Sequence, residues 1–212
     1  MTNPWLSIPL GDYEGHMSLP NVRQLRPLSE LFKRTVEHVR PKSVAVLGVA
    51  GGNGLEHLAD AGVLRIVAID INMEYLETTR YRFRKFAGLE LHCVDLTVDR
   101  ISLKPVDLVH AALIFEHAGT EKALDNAVSL VGRNGRLSVV LQIPSAEQVP
   151  AALSTYASMQ ALRDHFTFVD RDLLEASLED RGFIRETEQT LRLPGNKAFW
   201  YGVFARAHST SQ

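Results

Sequence analysis

Four groups of residues in this 212-residue chain have the types and spacing for chemistry. The first is Gly51-Gly52-Asn53-Gly54, which follows the apolar run Val44-Ala-Val-Leu47 and precedes a helix-like segment. Glycines after a strand let the backbone turn sharply and approach a ligand that a β-carbon would exclude. The N–H groups opening the next helix would then face a polar or anionic ligand. The second is Asp70, which ends the apolar run Leu64–Ile69 sixteen residues beyond Gly54. An acid about 20 residues past a glycine turn, at the tip of strand two, accepts two hydrogen bonds from a ribose diol and repels a 2′-phosphate. The third is Asp95, closing Leu89–Val94. The fourth is Glu116-His117, after Val106–Leu113. Together with His16 and His165, His117 is a candidate proton acceptor, because histidine titrates near neutral pH.

Several elements are needed to position these groups. Short apolar runs without alternation read as strands buried on both faces, as in a parallel sheet. The runs 44–50, 64–70, 89–94, 106–113 and 136–142 alternate with helical segments at 53–61, 73–87 and 120–131. Helix 170–181 follows the fifth run. The β-rich runs 183–193 and 197–206 flank Pro194-Gly-Asn196, a hairpin signal. Ahead of the first strand, apolar residues from Leu25 to Val39 recur at helical spacing, with the helix expected to begin near Pro27. Residues 1–26 carry Trp5, Tyr13 and Met17, too many large apolar groups for a disordered tail, and read as an ordered arm or lid. Residues 27–208 read as a single domain with an insertion at 144–169 and a frayed tail at 209–212. In an open α/β sheet ligands bind outside the carboxyl ends of the strands. The arm, Glu116-His117 and the insertion are therefore the expected walls of an acceptor pocket. The plainer alternative for the insertion is a surface helix over 147–162. Likewise Arg80, Arg82, Arg84 and Lys85 read as a solvated helix face.

The chain resembles the class I S-adenosylmethionine-dependent methyltransferases from about Val44 to Arg206. Val46-Leu-Gly48-Val-Ala50-Gly51-Gly52-Asn53-Gly54 is similar to that family's first motif, two apolar residues, an acid and three alternating glycines. Asp70 matches its ribose-binding acid and Asp95 the acid facing the adenine amino group. Leu113-Ile-Phe-Glu116-His117 is similar to its segment after strand four. Two positions depart from the pattern, because Gly48 replaces the acid and Ala50 the first glycine. The resemblance implies a Rossmann-like, doubly wound α/β fold of seven strands in the order 3-2-1-4-5-7-6, mostly parallel with strand seven antiparallel and helices on both faces. It implies S-adenosylmethionine as cofactor, held by Gly48, Val49, Ala50, Gly51, Asn53, Asp70, Ile71, Asn72, Asp95, Leu96, Ala111 and Ala112. The catalytic candidates are His117, Glu116 and His16.

Composition narrows the partners. Net charge of −2 and the absence of a dense Lys/Arg tract give no field to draw nucleic acid. Phe115-Glu-His also differs from the Asn/Asp-Pro-Pro-Tyr/Phe signature of methyltransferases acting on planar amide or base nitrogens. A small-molecule acceptor is expected, with the protein a monomer or homodimer. No cysteine pair or metal-ligand histidine spacing occurs, so no metal site is expected. The lone cysteine, Cys93, suits a reducing cytoplasm, and neither a signal peptide nor a membrane-spanning run is evident. Two rival readings remain. One is a non-catalytic cofactor- or nucleotide-binding domain. The other is an NAD(P)-binding short-chain oxidoreductase, disfavoured because Gln160 stands where Tyr156 would need a lysine four residues on.

Overall fold

Alternate side chains of the inner strands feed two separate cores, which is why their sequences are continuously apolar. In β1 (Ser43–Leu47), Val44 and Val46 pack with Phe32, Val36 and Leu58, whereas Ala45 and Leu47 pack with Leu124 and Ala127 on the other face. In β2 (Arg65–Asp70) the same split sends Ile66 and Ala68 one way and Val67 and Ile69 the other. A sheet covered on both faces needs this pattern.

The computed structural model describes residues 3–144, 154–193 and 197–207. A 3-10 turn at Pro4–Leu6 leads into α1 (Leu10–Ser18) and α2 (Leu25–Val39), followed by β1, α3 (Glu56–Asp60), β2, α4 (Met73–Arg82) and β3 (Leu89–Cys93). Then come β4 (Val106–Ala112), α5 (Phe115–Ala118), α6 (Glu121–Leu130) and β5 (Val131–Ile143). A 3-10 segment at Ala157–His165, α7 (Arg171–Asp180), β6 (Phe183–Arg192) and β7 (Ala198–Arg206) complete the order. The seven strands form one sheet in the order β3-β2-β1-β4-β5-β7-β6. The β3-β2-β1-β4-β5 pairings are parallel, while β7 runs antiparallel to both β5 and β6. This is the topology that the resemblance implies, and among the described residues there is no sixth parallel strand such as a nicotinamide dehydrogenase needs.

The local corrections have physical causes. The arm is helical, and α2 starts at Leu25, so Pro27 falls in its first turn where no intrahelical N–H is lost. Helix α4 stops at Arg82, not near Ala87, and Phe83 and Phe86 fold back onto the core of α2 and α3. Gly88 is therefore no helix cap. A β-carbon there would sit 1.9 Å from the Leu64 carbonyl oxygen, so glycine is required by close backbone approach. Strand β5 begins at Val131, with a register shift between the Val106 and Leu108 pairings that precedes the straight run from Arg136. Of the helix considered over 147–162, only 154–162 is described, and there the insertion forms a 3-10 segment, Ala157–His165. Residues 145–153 and the Pro194-Gly-Asn196 turn lie outside the described residues.

Candidate functional site

The loop after β1 turns by placing alternate residues in the left-handed region: Gly48 (φ 68°), Ala50 (φ 47°), Gly52 (φ 86°) and Gly54 (φ 92°). Ala50 departs from the glycine of the family pattern, and an L-residue there costs on the order of 1–2 kcal/mol. Its backbone is held from both sides. Its N–H donates to Asp70 Oδ2 at 2.8 Å, and its carbonyl accepts from Thr79 Oγ1 at 2.8 Å. Asp70 Oδ1 also accepts the Asn72 N–H at 2.9 Å. Asp70 thus ties the glycine loop to the start of α4. The residue is only 8% exposed, and burial pushes its carboxyl up to about 6 despite these backbone donors. Each carboxylate oxygen has a second lone pair for a further donor.

Asp70 faces a cleft of about 1260 Å³, counted with its open mouth, at the carboxyl ends of β1, β2, β3 and β4. Gly48, Ala50, Asp70, Ile71, Asp95, Leu96 and Ala112 all line it. The other residues inferred from the resemblance do not. Val49 and Ala111 are buried in the two cores. Asn53 donates to the Leu25 carbonyl, and Asn72 caps α4 and donates to the Trp5 carbonyl. Gly51 is covered by the Glu14–Arg82 ion pair, and Arg82 also donates to the Gly51 carbonyl at 3.0 Å. Arg82 is therefore a latch between the arm and the glycine loop, not part of a solvated face. The opening of α3 offers less to an anion than the sequence suggested, because the Gly54 N–H already donates to Glu56 Oε2 at 2.9 Å.

The arm closes over this cleft. Trp5, Tyr13, His16 and Met17 line it from one side, and Met159, Leu162 and Phe166 of the insertion from another. Trp5 meets Tyr13 and His117 edge-on at centroid distances of 5.6 and 4.9 Å, and His117 meets Phe166 at 5.4 Å. Tyr75 donates its hydroxyl to the Ile8 carbonyl, pinning the arm to α4. The arm, the segment after β4 and the insertion therefore lie together at the carboxyl end of the sheet, as expected.

The structure gives the two candidates Glu116 and His117 different surroundings. His117 lines the cleft with its Nδ1 buried and unpartnered, and burial lowers its ring to about 4, leaving it neutral. Glu116 turns into the body, where Oε1 accepts the Gln142 N–H at 2.7 Å and the Glu116 carbonyl accepts the Thr167 N–H at 2.9 Å. It joins β5 to the insertion, and burial pushes its carboxyl up to about 7. His16 lines the cleft, with its ring held below its ordinary value by burial and then by nearby Lys197. Gln24, Tyr75, Gln142 and Lys197 also line the cleft and were not singled out from the sequence. Gln142 carried a readable signal, as a polar residue ending an apolar strand. The others had none, because they reach the cleft only through the chain's path.

Among the described residues, no group of three or more His, Cys, Asp or Glu could hold a metal ion. No described helix is long and apolar enough to cross a membrane. Tyr156 packs against Gly15, so the oxidoreductase reading finds support neither in strand order nor here.

Residues 46–137 match the family model described as "Methyltransferase domain". No curated protein sequence matches the chain. Among solved structures, the fold is similar to the N-methyltransferase NodS from Bradyrhizobium japonicum WM9 in complex with S-adenosylhomocysteine. That match has 14% identity and a TM-score of 0.69, covering 98% of this chain and 100% of that one. Magnesium protoporphyrin IX methyltransferase (ChlM) from Synechocystis PCC 6803 with bound S-adenosylmethionine gives 13% identity and a TM-score of 0.70, covering 98% of each chain. The Burkholderia thailandensis 1,6-didemethyltoxoflavin-N1-methyltransferase gives 14% identity and a TM-score of 0.65, covering 93% of this chain and 84% of that one. The methyltransferase-domain match begins in β1, and the strand order around it gives the chain the fold of these solved methyltransferases.

Proposed function

We propose that this protein binds S-adenosylmethionine and transfers its methyl group to a small-molecule acceptor. The observation that carries this reading is the convergence of the Gly48–Ala50 turn, Asp70 and Asp95 on one cleft. The residues fit the cofactor. Asp70 holds a buried carboxylate whose charge is under-stabilised, and a ribose diol would supply the missing donors. Asp95 Oδ1 is engaged by Thr97, so the residue is set in place while its other oxygen stays available to an adenine amino group. The relatives crystallised with S-adenosylmethionine or its product share this fold.

When bound, the sulfonium supplies an already activated methyl group. The protein's share is to position the acceptor, exclude water and take up a proton where one is released. The arm and the 3-10 segment at Ala157–His165 exclude water by roofing the cleft. His117 Nδ1, neutral and unpartnered among Trp5 and Phe166, is the candidate proton acceptor. The roofed cleft, walled largely by apolar side chains, supports a small-molecule acceptor. A reducing, cytoplasmic setting is consistent with Cys93 as a free thiol.

Calorimetric titration with S-adenosylmethionine, S-adenosylhomocysteine and NAD tests the reading. Binding of both adenosyl ligands without comparable NAD binding is expected. Absence of adenosyl binding, or tighter NAD binding, overturns it.

A further inference from the structure

Lys197 precedes β7 directly, beside the Ile143 end of β5, and in the sheet order β7 lies three positions from β1. Strands are spaced about 4.8 Å apart, so Lys197 stands roughly 14 Å across the sheet from the Gly48 turn. It therefore occupies the half of the cleft away from Asp70 and Asp95, the half left for an acceptor. The residue lines the cleft and is only 8% exposed. Lysines are almost never this buried unless paired. Among the described residues, no carboxylate forms an ion pair with it.

The neighbouring polar groups are also donors in search of acceptors. Gln24 Nε2 donates to Gln142 Oε1 at 3.0 Å, which leaves the amide N–H groups of Gln142 free among the described residues. His16 lies close enough for the lysine charge to act on it, and its Nδ1 is buried without a partner. The surrounding walls are apolar and aromatic, formed by Trp5, Met17, Leu113, Met159, Leu162 and Phe166. A cationic, donor-rich end on an aromatic slot is complementary to a flat apolar molecule ending in an anion.

We propose that Lys197, supported by Gln142 and His16, receives the carboxylate of the methyl acceptor, and that the acceptor is an aromatic carboxylic acid. This rests on the cofactor-and-acceptor reading of the cleft. A cofactor also carries a carboxylate, so the experiment separates the two sources.

Wild type and Lys197→Met, each saturated with S-adenosylhomocysteine, are titrated with 2-naphthoate and with its neutral analogue 2-naphthamide. Wild type is expected to prefer the acid by roughly tenfold or more, the scale of one charge-assisted hydrogen bond. Lys197→Met is expected to lose that preference while its affinity for S-adenosylhomocysteine stays within about twofold. Equal binding of acid and amide by wild type overturns the proposal. So does a variant that keeps the preference but binds S-adenosylhomocysteine roughly tenfold more weakly, which would place the cofactor's own carboxylate on the lysine. If Lys197→Met does not fold, the wild-type comparison and Lys197→Arg, which should retain the preference, still decide. Failure of wild type to bind S-adenosylhomocysteine defeats the cofactor reading separately, since the acid–amide preference can be measured without it.

Discussion

Replacing Asp70 separates the two duties that the structure gives it. Its carboxylate holds the Ala50 and Asn72 N–H groups and also faces the cleft. Asp70→Ala orphans both buried N–H groups at about 1–3 kcal/mol each, whereas Asp70→Asn keeps an oxygen for one of them. Against that, burial raises the carboxyl from 3.8 to about 6, so keeping it ionised at neutral pH costs about 3 kcal/mol at 1.36 kcal/mol per unit. These nearly offset each other, and Asp70→Asn or Asp70→Ala should move the melting temperature only modestly. Affinity for S-adenosylhomocysteine has no such compensation. Loss of charge-assisted bonds worth about 1.5–3 kcal/mol each should weaken binding tenfold or more. The pH dependence follows with a definite sign. A diol is bound by the ionised form, so wild-type affinity should be full above pH 7 and fall about tenfold per unit once pH drops below about 6. Asp70→Asn removes that group, so its affinity should lack this acid limb, which separates Asp70 from the other titratable groups of the cleft. Calorimetry between pH 5 and 8 on both proteins measures this. An acid limb that persists unchanged in Asp70→Asn, or an unchanged dissociation constant at pH 8, refutes the diol contact and leaves Asp70 as a loop brace alone.

Two further outcomes are expected. Restoring the acid of the methyltransferase pattern with Gly48→Asp should harm binding, because Gly48 sits at φ 68°, where any side chain is strained, and the Ile114 Cδ1 atom 2.8 Å from an added β-carbon would have to move aside. The backbone strain is on the order of 1–2 kcal/mol, and Gly48→Ala should show it without the charge; tighter S-adenosylhomocysteine binding by Gly48→Asp would count against this account. Glu116→Gln should stabilise the protein at pH 8 relative to wild type but not at pH 4. The folded carboxyl titrates at about 7 against 4.5 unfolded, so wild-type stability falls as pH rises through that window, by at most about 3 kcal/mol. Thermal melts of both proteins across pH 4–8 measure it, and parallel curves would show that Glu116 is ionised without penalty.

The sheet was legible because each inner strand must satisfy two cores at once. A continuous apolar run of five or six residues is the sequence form of that demand, and glycine or an acid at its end marks where the chain leaves the sheet. The same logic located Asp70 and Asp95, since strand tips at the switch between β1 and β4 are where the cleft opens. Legibility failed where a residue's role depends on what the chain brings over it from far away. Arg82 reads as one of several surface cations until α1 supplies Glu14. Gly51 reads as a conformational glycine. Yet it has no positive φ, and its missing β-carbon makes room for the Glu14–Arg82 pair, as that of Gly15 does for Tyr156. Glu116 and His117 adjoin in sequence, and both read as catalytic candidates. Successive residues on a short helix point about 100° apart, so His117 enters the cleft while Glu116 enters the body. Lys197 escaped for the same reason as Gln24: a buried polar group is recognisable only once the surfaces that bury it have met. The acceptor half of the cleft is assembled from the end of β5, the insertion, the start of β7 and an arm more than a hundred residues ahead of them, and no local pattern encodes that meeting. Where the chemistry rests on one strand and its following turn, sequence suffices; where it rests on several segments that only the fold brings together, the specificity of the site is a property of the fold.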